Sequence, residues 1–203
     1  MSNLIYHPAD AGRSPIECDR YWLLTSTTYG SRLPGDERGF VSPVRDQSGV
    51  EVIHNIPGTP VDAGMSRLEA YSLQTMKGEP IRLNLEHAEA LLEQFQETAN
   101  YRRWQLLAVA VIPNHLHIVV GVPGDHDPSD ILGDFKSYGS RRLNGRWGKP
   151  KSETWWTESG SKRKLQNGES VLAAIRYVMG QESPLLIWTA NIPDLNLLEG
   201  RLV

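Results

Sequence analysis

The stretch Leu106-Leu107-Ala108-Val109-Ala110-Val111-Ile112-Pro113-Asn114-His115-Leu116-His117-Ile118-Val119-Val120 decides how this chain is read. An apolar run, a Pro-Asn turn signal and a second apolar run predict a hairpin of two buried strands, over 104–112 and 115–122. Alternate side chains of a strand share a face. His115 and His117 therefore project together, while Leu116, Ile118 and Val120 turn toward a core. Two imidazoles ~7 Å apart on one rigid strand can converge on a divalent cation, and imidazole is the commonest side-chain metal ligand. The same alternation is what the polar face of a half-buried strand shows, so the pair alone does not decide between the two readings.

Working outward, Tyr21 to Thr28 (YWLLTSTT) is rich in aromatic and β-branched residues and reads as a strand. Residues 84–102 read as a helix. Ala88, Leu91, Leu92, Phe95 and Ala99 form its apolar stripe, and Asn84 is its N-cap. After the hairpin, Asp127-Pro128 supplies a cap residue and a proline at the first helical position, opening a helix that turns Ile131, Leu132, Phe135 and Tyr138 inward. Trp155-Trp156 reads as a short strand, and Asn167-Gly168-Glu169 opens a last helix running to about Gln181. Residues 29–80 are dense in Gly, Pro and Asp, with strand-like pieces such as Gly49 to Ile53, and are too many for a plain loop. The expected organisation is one domain over 1–203, with an elaborated insertion at about 31–80. The fold class is α+β, an antiparallel sheet covered by helices on one face. The histidines would lie on the other, open face.

A chain of 203 residues is long enough for a single well-buried core. Charged residues make up 22% and the hydrophobic class 39%, an ordinary globular balance. A single cysteine, Cys18, excludes an internal disulfide and fits a reducing compartment. The longest apolar run is too short to span a bilayer, and the first residues show no signal-peptide pattern, so a cytoplasmic location and no membrane partner are expected.

The net charge of −3 argues weakly against wholesale nucleic-acid binding, but its distribution is uneven. Residues 1–100 carry eight Arg and Lys against 14 Asp and Glu, whereas residues 136–164 carry nine against two. Such a basic stretch is the footprint a phosphate backbone requires, or a solvated basic surface. Lys136, Arg141, Arg142, Lys162, Arg163 and Lys164 are its candidate phosphate contacts. Trp155 and Trp156 are candidates for stacking on bases, with packing against the sheet as the equal alternative.

In the last helix Val171, Ile175 and Val178 fall on one side, and Tyr177 lies well away from that stripe. Gln181, four residues on, sits one turn from Tyr177 on the same face. A phenol and a carboxamide are thus presented together, one able to act as a nucleophile and the other as an oxygen ligand. Tyr138 is the competing nucleophile. It shares a face with Ile131 and Phe135, so burial accounts for it without chemistry.

Pro113-Asn114-His115-Leu116-His117, the Trp155-Trp156 segment running on through Gly160-Ser161-Lys162-Arg163, and Tyr177-Val178-Met179-Gly180-Gln181 resemble the single-tyrosine HUH transposases. These include the transposases of small bacterial insertion sequences and the REP-associated tyrosine transposases. The resemblance covers about residues 21–30 and 84–188. It implies a ferredoxin-like (RRM-like) fold and a Mg²⁺ or Mn²⁺ ion held by His115, His117 and Gln181. It also implies Tyr177 as the nucleophile that cleaves and rejoins single-stranded, hairpin-forming DNA through a 5′-phosphotyrosine. Monomer and homodimer both remain open. The long insertion at 31–80, Gly180 within the last helix and the overall acidity depart from compact members. Two other functions are consistent with the residues: a domesticated non-catalytic nucleic-acid-binding module, and a metal-dependent hydrolase using an activated water.

Overall fold

The two strands around Pro113-Asn114 form the middle of a six-stranded sheet. The computed structural model describes residues 18–31, 33 and 66–190, with the backbone of three short strands at 5–6, 43–45 and 51–53. In chain order the elements are β1 (Ile5–Tyr6), β2 (Arg20–Thr27), β3 (Pro43–Arg45), β4 (Glu51–Ile53), α1 (Ser66–Thr75), α2 (Leu85–Arg102), β5 (Gln105–Ile112), β6 (His115–Val122), α3 (Pro128–Trp147), β7 (Ser161–Leu165), α4 (Gly168–Met179) and β8 (Leu186–Thr189). The sheet order is β1-β8-β5-β6-β2-β7. All its pairings are antiparallel except the edge contact of β1 with β8. Strands β2, β5, β6 and β7 with helices α2 and α3 make a βαββαβ unit in the strand order of a ferredoxin-like fold.

Local chemistry explains the helix starts. Asn84 accepts from the His87 backbone N–H while His87 Nδ1 accepts from the Asn84 N–H, a reciprocal capping box. Asp127 caps α3 ahead of Pro128, and Asn167 caps α4 through Ser170. Helices α2 and α3 cover one sheet face, where Leu91, Phe95, Ile131 and Phe135 meet Leu24, Val109, Leu116 and Ile118.

The opposite face is not left open, as the order of elements suggested. Helix α4 lies across it, burying Val171, Ala174, Ile175 and Val178 against Leu23, Leu107, Ala110 and Val119. The apolar stripe of α4 requires such a cover, and the chain then re-enters the sheet through β8, which pairs with β5.

Other sequence expectations shift in detail. Trp156 makes a single bridge to Thr28 rather than a strand. β7 and β8 were not anticipated, since SKRKL alternates no apolar face and LIWT is only four residues long. Within the insertion, β3 pairs with β4 close to the strand-like piece expected at 49–53, and α1 is helical where only strands and turns were expected. Apart from residues 31 and 33, the remainder of 31–65 lies outside the described residues. Gly160 admits the close approach of β7 to β2: a Cβ there would stand 2.5 Å from Thr25 O and 2.6 Å from Leu132 Cδ2.

Candidate active site

Strand β6 places His115 opposite Thr27 and His117 opposite Thr25 on β2. Both histidines occupy the α4 face, and their ring centroids are 5.0 Å apart at 84°. His117 is 4% exposed. Its Nδ1 lies 2.7 Å from Thr25 Oγ1, and its buried Nε2 makes no close hydrogen bond among the described residues. Buried polar atoms are nearly always paired, so an Nε2 left in this state beside the Gln181 side chain is available to a further ligand. Burial, reinforced by the neighbouring His115, pushes the His117 pKa down to about 4; the Gln181 side chain, the smallest influence, opposes the shift. The imidazole is therefore neutral at physiological pH, the form that can donate a lone pair to a metal. His115 Nδ1 is 2.7 Å from Asn114 Oδ1.

Tyr177 joins the histidines from α4. Its ring centroid is 5.2 Å from that of His117, and the residue is 52% exposed. One edge of the phenol therefore meets the site while the rest faces solvent. The helix does not extend to Gln181. It ends at Met179, and Gly180 is the C-cap, its N–H donating to Arg176 O. The carboxamide of Gln181 nevertheless stays beside Tyr177, because its Nε2 donates to Tyr177 O at 2.9 Å. The glycine at 180 thus closes the helix rather than loosening it.

Tyr138 lies on α3, the helix that packs on the sheet face away from the histidines, and is half-buried outside the core rather than turned into it as expected, with the Arg141 guanidinium 5.0 Å above its ring. That position removes it from competition with Tyr177. Among the described residues no group of three His, Cys, Asp or Glu side chains could hold a metal. A site built on His115 and His117 would need an oxygen from another residue type, and Gln181 is adjacent.

The basic candidates divide. Lys136 is spent internally, its Nζ donating to the carbonyls of Thr157, Glu158 and Ser159 at 2.7, 2.9 and 3.3 Å. Arg142 pairs with Gln94 and Glu97 of α2. Arg141 lies over Tyr138. Lys162, Arg163 and Lys164 lie on the exposed edge strand β7. Its register with β2 sets Arg163 opposite Leu23, on the histidine face, and Lys162 and Lys164 opposite Leu24 and Trp22, on the α3 face. Lys162 Nζ donates to Ser129 Oγ at 3.1 Å.

Trp155 and Trp156 are a correction: they are core residues, not stacking platforms. Both are buried, with Trp155 Nε1 donating to Asn144 Oδ1 and Trp156 Nε1 to Ser140 Oγ and Lys136 O. A buried indole whose N–H is satisfied within the fold has no face to offer a base. Thr25 escaped the sequence reading altogether. Only the cross-strand register reveals it, because nothing in YWLLTSTT marks one threonine over the others.

A ferredoxin-like sheet with a histidine pair on one central strand and a tyrosine brought beside it by a C-terminal helix defines a class of protein. Residues 73–181, which include all of these side chains except Thr25, match the family model "Transposase IS200 like", and the chain belongs to that family. No curated protein matches it. The solved structures similar to it include the following two. One is a REP-associated tyrosine transposase bound to a REP hairpin, 13% identical, TM-score 0.44, covering 83% of this chain and 70% of that one. The other, from Deinococcus radiodurans R1 and described as a transposase, is 15% identical, TM-score 0.42, covering 86% of this chain and 98% of that one. No described helix is long and apolar enough to cross a membrane.

Proposed function

We propose that this transposase is a single-tyrosine enzyme that cleaves and rejoins single-stranded DNA, with Tyr177 as nucleophile and His115, His117 and Gln181 as ligands of a divalent cation. The observation that carries the reading is the contact of Tyr177 with His117, whose buried Nε2 makes no close hydrogen bond among the described residues and whose ring the Gln181 side chain approaches. Two imidazole nitrogens and a neutral carboxamide oxygen suit Mn²⁺ as well as Mg²⁺. The cation, when bound, would withdraw charge from a non-bridging phosphate oxygen.

The phenolic oxygen of Tyr177 attacks the phosphorus. A Tyr177–phosphate ester forms on the 5′ side, the bond from phosphorus to the 3′ oxygen breaks, and a 3′-OH is released. The phenolic proton leaves to solvent, which the half-exposed ring reaches. Attack by a 3′-OH reverses the exchange and restores Tyr177. Phenoxide is a better leaving group than an alkoxide, so the ester keeps the bond available for rejoining. Arg163, which the β2–β7 register sets on the histidine face, would contact the DNA backbone, with Arg141, Lys162 and Lys164 as contacts further out.

Incubation with hairpin-forming single-stranded DNA and Mn²⁺, followed by a denaturing gel, tests the reading. The wild type should form a covalent protein–DNA adduct and Tyr177→Phe none, with DNA binding roughly intact. An adduct retained in Tyr177→Phe would remove the tyrosine from its role. Cleavage without any adduct would instead favour hydrolysis by an activated water, and binding without cleavage a non-catalytic module. Full activity of the wild type in EDTA would contradict the metal role.

A further inference from the structure

We propose that Thr25 is a positioning residue that commits His117 to present Nε2, and not Nδ1, to the cation; this rests on the metal reading of the histidine pair. A neutral imidazole carries one proton on one of two nitrogens, and the nitrogen that binds a metal is set by what holds the other. In His117 the division is explicit. Nδ1 is 2.7 Å from Thr25 Oγ1, and the buried Nε2 makes no close hydrogen bond among the described residues, with only the Gln181 side chain, itself a proposed ligand, approaching the ring. Thr25 and His117 are direct cross-strand partners in the β2–β6 ladder, so two central strands fix the hydroxyl in place.

A hydroxyl both donates and accepts. It can therefore receive the Nδ1 proton that must be present once Nε2 gives its lone pair to a metal. His115 is arranged alike, with Nδ1 2.7 Å from Asn114 Oδ1, an oxygen that can only accept. Both rings therefore have Nδ1 engaged from the protein side. Partners of this kind fix ring orientation and raise ligand basicity. Gly160 belongs to the same arrangement, since any side chain there would press on Thr25 O.

Thr25→Val keeps the β-branched shape and deletes the hydroxyl, whereas Thr25→Ser keeps the hydroxyl and deletes a methyl. Mn²⁺ binding to the DNA-free protein, followed by titration calorimetry, should weaken about 10–100-fold in Thr25→Val. It should stay near wild type in Thr25→Ser. Nitrogen NMR of the metal-free protein should show both His117 ring signals moving in Thr25→Val but not in Thr25→Ser. Unchanged Mn²⁺ affinity in Thr25→Val, or an equal loss in Thr25→Ser, would overturn the proposal, the second by pointing to packing. Failure of the wild type to bind Mn²⁺ would overturn the metal reading instead. The nitrogen spectra then decide on Thr25 alone: His117 signals unmoved in Thr25→Val would remove it from any hold on the ring.

Discussion

His117 is buried beside Thr25, His115 and Tyr177, with one nitrogen held by Thr25 and the other making no close hydrogen bond among the described residues, and this has a consequence for stability. Its pKa in the folded protein is about 4, below the ordinary 6.5, so the unfolded chain takes up the proton first as pH falls. The contribution of the neutral ring is complete above about pH 6.5, declines below it, and is lost as pH passes through about 4. A shift of this size corresponds to at most about 3.5 kcal/mol. Urea unfolding of the metal-free wild type and His117→Asn at pH 7 and pH 4.5 measures it without interference from carboxylates common to both. The gap between the two proteins should change across that interval, the wild type losing more on acidification; parallel losses would contradict the burial argument. Tyr177 belongs to the same scale. Its helical phase shows that it is not a core residue, but phase alone does not say which ring it meets.

At the scale of the element, helix starts were plain before the fold was known. Asn84, Asp127 and Asn167 each cap the helix they precede, because a side-chain oxygen satisfying a free backbone N–H is a contact between near neighbours in sequence. The cap of α4 matters most, since that helix carries Tyr177, the proposed nucleophile. Asn167→Ala should cost about 1 kcal/mol and lower the midpoint of thermal unfolding by roughly 2–4 °C. Differential scanning calorimetry checks this; an unchanged midpoint would mean that packing alone holds the helix start. Elements held by long-range pairing were much less legible. The polar β7 is a strand because β2 offers it a ladder, and the end of α4 at Met179 depends on Gly180.

For the whole molecule, the decisive feature is that α4 folds back onto the histidine face of its own sheet. A site assembled within one chain predicts that two inactive variants do not rescue each other. An equimolar mixture of Tyr177→Phe and His117→Ala should give no covalent adduct above that of either variant alone. Restored adduct would show that α4 is exchanged between two copies. Charge obeys the same logic. The basic stretch is one run in sequence, yet folding spends Lys136 and Arg142 on internal contacts and divides β7 between two faces. Arg163→Ala should therefore weaken single-stranded DNA binding and reduce its dependence on salt by about one counterion. Lys136→Ala should act mainly through stability; equal effects of the two on DNA binding, measured by a salt titration, would contradict the division.

The amino-acid sequence by itself determined the hairpin, the presence and starts of the helices that span 85–102, 128–147 and 168–179, and the shared face of His115 and His117. Each follows from periodicity, caps and turn residues acting over a few positions. Only the tertiary structure decided that Thr25 holds His117, that Trp155 and Trp156 are core, that α4 covers the histidine face, and which basic side chains remain exposed. Those outcomes depend on strand register and layer packing between residues far apart in the chain, such as the 92 positions that separate Thr25 from His117. No local pattern records them.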